Sequence, residues 1–409
     1  MRLCWIKAGG FVPLDFGGRI RSFHMVKELA RRHPVTVLTF YPATENDPHR
    51  ELAPLFEELI TVPLQLPKPR SAGEYLDYLR LLPAPHAYSM QKYYRPELRQ
   101  AVSELFARKS FDGIICDFLH PAGILDWTGE TPIILFTHNV EAEVWERQYR
   151  FSRNPIRKLA FWVEYRRLAR SEQYYAERAA RVLAVSERNR QCFGRFLGGA
   201  EHVTLLPTGV DTDYFRPAPE ASRERTLVFT GSMDWAPNHD AMAYFYRDIL
   251  PLILAEEPEV EIWIVGRNPS PALSRLVSGD PKVHLTGRVE DVRPFMNQSS
   301  IYVLPMRTGS GTRLKVFEAM ASGKAIVSTP TGAEGLPVTD GENLLLAENA
   351  SEFAEGVIRL IRNTDLRRRI EKNARALAES GLGWRAATDR LEEAILAAVG
   401  DCSNVKLGV

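Results

Sequence analysis

The sequence is short of cysteine, of net charge and of long apolar runs, and each shortage closes a class of function. Its four cysteines, Cys4, Cys116, Cys192 and Cys402, are scattered with no CxxC pair. That pattern offers neither a zinc site nor a disulfide framework, and it suits a reducing compartment. Lys and Arg total 52 against 51 Asp and Glu, a net charge of +1. No global field therefore draws the chain onto nucleic acid, and any basic contact surface must be local. No run approaches the ~18 apolar residues of a membrane span. The N-terminal MRLCWIKAGGFVPLDFGG lacks the apolar core and cleavage site of a signal peptide. It reads as a first strand entering a glycine loop, and a cytoplasmic location is expected. A solenoid is excluded by the lack of any repeat of about 20–50 residues.

What is there is an ordinary globular composition, 45% hydrophobic and 25% charged, over 409 residues. At roughly 150 residues per domain that length suggests two or three domains. Short β-branched runs alternate with helical patterns. One series of candidate strands is Arg2–Lys7, Val35–Phe40, Gly113–Asp117, Pro132–Phe136, Arg181–Val185 and His202–Leu206. A second is Thr226–Thr230, Glu261–Val265, Lys282–Thr286, Ile301–Leu304, Ala325–Thr329 and Asn343–Leu346. Helices are expected between most of them, among them 20–32, 97–109, 239–254 and 313–322. The spacing predicts an α/β fold of two doubly wound parallel sheets. The Pro-containing segment 207–225 marks the boundary, giving domains over 1–206 and 207–380. A helical stretch over 365–399 ends in a polar tail, and residues 381–409 are expected to pack back on the first domain.

In such sheets ligands sit beyond the carboxyl ends of strands, so the strand-end loops carry the chemistry. The richest is PMRTGSGTRLKVFEAMA, where an apolar strand runs into Gly309, Ser310, Gly311 and Thr312 and then a helix. Glycines let the backbone approach a ligand, and free N–H groups at a helix start attract anions. Arg313 and Lys315 add positive charge there. Glu318, three residues beyond Lys315, is placed to accept hydrogen bonds from vicinal hydroxyls such as a ribose diol. A glycine-capped helix with solvated charges is the plainer alternative. His138 follows an apolar strand in FTHNVEAEVWER, where it can move a proton, hydrogen-bond a reacting group, or serve structure alone. Gly17-Gly18-Arg19 repeats the anion pattern near the N-terminus. Asp211-Thr212-Asp213 looks like a metal-holding DxD triplet, but its Pro-rich surroundings argue against that, and no metal site is expected. Residues 150–170 carry Arg150, Arg153, Arg157, Lys158, Arg166, Arg167 and Arg170 against one acid, Glu164, interleaved with Phe161, Trp162 and Tyr165. A basic aromatic helix of this kind can lie on an anionic membrane surface, or pack as an ordinary solvated helix.

The strings LPTGVDTDYF, IVGRNPS, LTGRVEDVRPFMNQSSIYVLP and GSGTRLKVFEAMASGKAIVSTPTGAEGL resemble the C-terminal half of family 4 glycosyltransferases (glycosyl transferases group 1). GGRIRSFHMVKELARRH and FTHNVE are similar to their N-terminal half, and residues 42–110 match nothing useful. The resemblance implies a GT-B architecture, two Rossmann-like domains facing across a cleft, and retention of anomeric configuration. It implies a nucleotide diphosphate-sugar donor, no cofactor and no metal. Glu318 then corresponds to the ribose-binding glutamate of an E-x7-E motif. Gly17 and Gly18 correspond to glycines that approach the diphosphate, and His138 to a histidine near the reacting sugar. Arg288 and Val289 fall where the base is contacted, and Gly231 with Gly309–Thr312 where donor is bound.

Two departures stand out. The first glutamate of the motif is replaced by Ser310. The Arg…Lys pair that follows the first C-terminal strand is replaced by Ser232 and Asn238 in FTGSMDWAPNHD. Lys315 and Arg313 are the expected substitutes for the missing charge. The function expected is a retaining, metal-independent hexosyltransferase acting on a cell-surface polysaccharide or lipid-linked glycan. Its expected place is the cytoplasm, peripheral at the inner face of the membrane through 150–170. A nucleotide-sugar epimerase and a non-catalytic nucleotide-sugar-binding protein are the alternatives, with no nucleic acid partner in any of them.

Overall fold

The computed structural model describes the chain except for residues 15–16, 44, 69–70, 153, 219–222, 309–313 and 408–409; for 402–407 it gives the backbone alone. Two compact units emerge, one of Met1–Pro207 with Ala387–Val409, the other of Thr208–Ala386.

Unit 1 holds seven strands: β1 (Leu3–Lys7), β2 (Val35–Pro42), β3 (Glu58–Leu64), β4 (Gly113–Asp117), β5 (Ile133–Phe136), β6 (Arg181–Ala184) and β7 (Val203–Leu205). They pair in parallel in the order β3-β2-β1-β4-β5-β6-β7. Unit 2 repeats the winding with β8 (Arg223–Thr230), β9 (Glu261–Val265), β10 (Val283–Gly287), β11 (Ser299–Leu304), β12 (Ala325–Ser328) and β13 (Leu345–Leu346), ordered β10-β9-β8-β11-β12-β13. In each sheet the strand order reverses beside the first strand, between β1 and β4 and between β8 and β11. That is where doubly wound folds place ligands.

The central strands read as continuous apolar runs because helices cover both faces. Every residue of β1, β4 and β11 is buried. Each such Ile, Leu or Val contributes about 1.5–3 kcal/mol of burial, which fixes the strand ends as rigid platforms. Cys4, Cys116 and Cys192 are free thiols within this packing.

Four expectations need correction. Strand β3, ELITVPL, was not foreseen, since Pro63 and the flanking acids argue against a strand. It is tolerated because β3 is an edge and pairs only with β2. The basic stretch 150–170 is not one helix. Glu141–Phe151 ends, and Pro155–Arg178 begins where the Asn154 side chain accepts from Ile156 N and Arg157 N at 3.0 and 3.1 Å. Asn at the cap followed by Pro at the first helical position is a strong start signal. The run over 365–399 is helical, in two helices, Thr364–Gly381 and Trp384–Leu407, parted where Val210 N bonds Leu382 O at 2.7 Å. The residues expected as a polar tail continue the second helix to Leu407. Finally, the helix expected over 239–254 runs from Ala236 to Glu256 through a π-turn at Phe245–Ile249. The π-turn lies where the ring of Pro251 would otherwise clash with the carbonyl four residues earlier.

Candidate active site

In unit 1 the ends of β1, β4 and β5 converge on one carboxylate. Asp117 closes β4 and is fully buried. Its Oδ2 accepts from the Trp5 indole at 2.9 Å and lies 3.3 Å from Lys7 Nζ. Its Oδ1 lies 3.0 Å from His138 Nε2. Ser22, on the helix Gly17–Ala30, links the pieces: its Oγ accepts from Lys7 Nζ at 3.0 Å, donates to Gly18 O at 2.9 Å, and lies 3.3 Å from His138 Nε2. Burial alone would raise the Asp117 pKa, but Lys7 and His138 outweigh it and hold the carboxyl well below the usual range. Burial pushes His138 down to about 3, against the pull of Asp117. At neutral pH the imidazole is therefore uncharged. An ionised Asp117 can only accept, so Nε2 carries the hydrogen and Nδ1 is left as an acceptor. This tautomer suits orienting a hydroxyl, not delivering a proton.

The backbone around this cluster is shaped for it. Phe118 holds a left-handed φ of +71°, a conformation costing of order 1 kcal/mol or more for a bulky residue. Its ring stacks on His138 at 3.9 Å and 13°. Buried Arg21 donates to Thr137 O and Leu206 O at 2.6 and 2.7 Å and covers the Phe136 ring, fixing the chain that leads into His138. Gly17 and Gly18 open the helix Gly17–Ala30. The positions that demand glycine are instead Gly9 and Gly10, at φ +93° and +73°; a Cβ on Gly10 would lie 2.9 Å from His49 Nε2. Beside the cluster opens a cavity of about 580 Å³, bordered by Lys7, Gly10, Arg19, Tyr93 and Phe118 among others.

In unit 2 the corresponding point is the end of β8. Thr230 is held by the buried Tyr302 hydroxyl, 2.8 Å from its Oγ1. Gly231 follows at φ +153°, and a Cβ there would lie 2.6 Å from Lys315 Nζ and 2.7 Å from Asn238 Nδ2. A Cβ on Gly266, after β9, would overlap Gly231 O at 1.7 Å. Two glycines thus let backbone and cations approach one another closely. Lys315 Nζ donates to Asn238 Oδ1 at 2.7 Å and lies 4.3 Å over the Phe229 ring. Asn238 in turn donates to Ser232 O at 2.8 Å. Arg267, immediately after Gly266, donates from Nε to Ser232 Oγ at 3.0 Å. Ser232 and Asn238, which stand where the resemblance expects an Arg…Lys pair, therefore each bind a cation brought from another loop. The cations beside this strand end are thus Arg267 and Lys315.

Glu318 lies one turn beyond Lys315 on the helix Leu314–Ala321, and burial pushes it up to about 7 while Lys315 pulls it down. Arg307 leads into the glycine segment and is clamped on Asp240 through Nε and Nη2 at 3.1 and 2.6 Å. Gly309, Ser310, Gly311, Thr312 and Arg313 lie outside the described residues. Arg288 is exposed just after Gly287, whose φ of +71° ends β10, and Val289 packs against the unit 2 core. The Asp211 carboxylate closes its own turn, accepting from Asp213 N and Tyr214 N at 3.1 and 2.8 Å. Among the described residues no three His, Cys, Asp or Glu side chains group as metal ligands.

Sequence reasoning missed Lys7, Ser22, Asp117 and Arg267. A signal existed for two of them: Asp117 ends the apolar run GIIC, and Arg267 follows the glycine that ends IVG. Their partners lie far away in the chain, so only the fold could join them.

The chain matches the family profiles described as Glycosyltransferase Family 4 over residues 17–214 and Glycosyl transferases group 1 over 224–363. An uncharacterised 44.6 kDa protein in the cps region of Klebsiella pneumoniae is 21% identical over 88% of this chain and 91% of its own length. The phosphatidyl-myo-inositol mannosyltransferase of Mycolicibacterium smegmatis is 32% identical, over 47% of this chain and 51% of that protein. Among solved structures, HepE from Anabaena in complex with UDP-glucose superposes with a TM-score of 0.67 at 15% identity, covering 97% of this chain and 100% of that one. The paired parallel sheets and these matches agree: the chain belongs to the group 1 glycosyltransferases of GT-B fold.

Proposed function

We propose that the protein is a retaining hexosyltransferase that moves a sugar from a nucleoside diphosphate-sugar to a hydroxyl of a glycan or lipid-linked acceptor, without a metal ion. The observation that carries this reading is Lys315 beside Gly231 and Arg267 on the next residue, Ser232, with Glu318 one turn beyond Lys315. Fixed cations beside a closely approached backbone suit a diphosphate whose charge grows as it leaves. Glu318 would accept from the ribose hydroxyls, and Arg288 and Val289 would flank the base. In the step itself the bond from anomeric carbon to diphosphate oxygen breaks. The acceptor oxygen bonds the same carbon from the same face, and its proton passes to the departing phosphate. His138, held neutral with Nδ1 as acceptor, would orient the sugar. HepE was solved with UDP-glucose, which supports a nucleotide-sugar donor. The name of the mannosyltransferase relative supports a lipid-linked acceptor.

Exposed side chains of unit 1 support a peripheral place at the inner face of the cell membrane. Phe151, Ile156, Leu159 and Trp162 are 82%, 79%, 63% and 43% exposed among the cations of 150–170. On the helix Ala72–Leu81, Tyr75, Leu76 and Leu79 are also exposed. On 151–162, large apolar side chains interspersed with Arg and Lys match the chemistry of an anionic bilayer surface. No helix among the described residues is long and apolar enough to cross a membrane.

The test is to supply UDP-, GDP- and ADP-hexoses in EDTA with candidate acceptors, following nucleoside diphosphate release and the anomeric configuration of the product by NMR. Metal-independent transfer with retention is the expected result. An inverted product or a requirement for metal would contradict it, and an epimer left on the nucleotide would establish the epimerase instead.

A further inference from the structure

We propose that the unit 1 cavity takes an acceptor bearing an anionic group, a carboxylate or a phosphate, and that the Lys92 ammonium seats that group. The inference rests on the transferase reading for calling the occupant an acceptor, and otherwise on the cavity alone.

Lys92 differs from Lys7 and Arg19 on this lining, which have polar partners, and from Lys68, which is exposed to solvent. Lys7 faces Asp117, and Arg19 donates to Gly9 O at 3.2 Å and Pro13 O at 3.3 Å. Lys92 Nζ instead lies over two ring faces, 5.1 Å from the Tyr93 centroid and 5.8 Å from that of Tyr88. Among the described residues no hydrogen bond or ion pair holds it. Burial lowers its pKa, and the fields of Glu74, Asp77 and Glu164 only partly offset that loss. A partly desolvated ammonium that lies over rings, with no direct ion pair, gains from an anion that arrives with its ligand. The same lining carries Arg19, Lys68, Glu45 and Glu74, while Lys7 is matched by Asp117. The neighbouring His120 adds no charge: burial, aided by Lys92 and Lys7, drives it down to about 3.

The same residues connect that anchor to the reacting end. Tyr93 packs on Phe40 at 5.0 Å and on His120 at 5.5 Å, His120 meets Phe118 at 5.4 Å, and Phe118 stacks on His138. Ring after ring therefore lines the way from Lys92 to His138. A sugar can lie on such faces while its charged substituent rests on the ammonium.

Ligand-observed NMR on the full chain tests this with glucuronate, glucose 6-phosphate and glucose at matched ionic strength. Wild-type protein, Lys92→Met, Lys92→Arg and Lys315→Met are compared, and nucleotide affinity is read separately. At least one charged sugar is expected to bind about tenfold tighter than glucose, the scale of one charge-assisted hydrogen bond. Lys92→Met should abolish that preference, while Lys92→Arg and Lys315→Met keep it. Preference for glucuronate alone indicates a carboxylate, and for glucose 6-phosphate alone a phosphate. Equal affinity for charged and neutral sugars, no detectable binding of the anions, or a preference that survives Lys92→Met overturns the proposal. A preference lost in Lys315→Met also overturns it, because the phosphate would then sit in unit 2. Failure of every nucleotide to bind wild-type protein would strike the transferase reading instead and leave the anion comparison intact.

Discussion

At the end of β1, Lys7 meets a buried carboxylate, a serine and, through Asp117, an indole and an imidazole; at the end of β8, Lys315 donates to a neutral amide, beside an arginine that donates to a serine. Both places are the first strand of a sheet with the same winding, and both are switch points. Yet in unit 1 the cation lies directly against a carboxylate, whereas in unit 2 Lys315 and Arg267 donate to the neutral Asn238 and Ser232, with Glu318 and Asp234 in their field. The first arrangement makes a rigid scaffold with a fixed imidazole tautomer. The second holds two cations by hydrogen bonds to neutral groups, the arrangement that the proposed donor site uses. A strand end can therefore be recognised as framework or as anion seat by what its cation is bonded to.

The comparison breaks most visibly at Asp117. Asp117→Ala strands Lys7 in the interior, and removing one partner of a buried ion pair costs about 3–5 kcal/mol. Urea denaturation should show that loss, and a change below about 1 kcal/mol would mean that the unit 1 network is not a scaffold. Lys315→Met is the mirror test in unit 2: stability should be little changed while transfer falls by about 10²–10³, the scale for one preorganised donor. Equal losses of stability in the two variants would erase the distinction drawn here.

Protonation sharpens it further. His120 and His138 are both held near 3 by burial, against an ordinary value of 6.5. Between those values the unfolded chain takes up protons that the folded chain refuses, so stability is full above about pH 6.5 and falls as pH drops towards 3. Denaturation midpoints measured from pH 7.5 to 4 should decline accordingly, and less steeply in a His120→Gln, His138→Gln variant. Glu318, raised to about 7, should act on ligand binding. If its ionised form holds the ribose, nucleotide affinity is full above pH 7 and weakens up to about tenfold per pH unit below it. Glu318→Gln should flatten that profile. The smallest effect on chemistry is expected from Phe151→Ser with Trp162→Ser. Turnover on soluble acceptors should hold, while sedimentation with anionic vesicles should drop several-fold.

The alternation of strands and helices made both sheets legible, because buried parallel strands announce themselves as apolar runs. Edge strand β3 did not, since Pro63 and Glu58 hide it and only pairing with β2 explains it. The helix break at Asn154 is hidden for a similar reason: the pattern continues across it, and a side-chain cap decides. In the site, His138, Lys315 and Glu318 could be picked out because each follows a strand or glycine segment at a telling interval. Asp117 could not be joined to His138, nor Arg267 to Ser232, because pairs 21 and 35 residues apart meet only through the sheet. The missing Arg…Lys pair reads as a loss of charge in the sequence, while the fold brings Arg267 and Lys315 to the residues that stand in its place.

The most direct measurement is calorimetric titration of wild-type, Lys315→Met and Arg267→Met protein with UDP, GDP and ADP, with and without EDTA. A donor site that uses these two cations predicts that one nucleotide binds wild-type protein with or without EDTA. It predicts weakening by about ten- to a hundredfold in each variant, one charged hydrogen bond apiece. Unchanged affinity in both variants, or binding that EDTA abolishes, would contradict it.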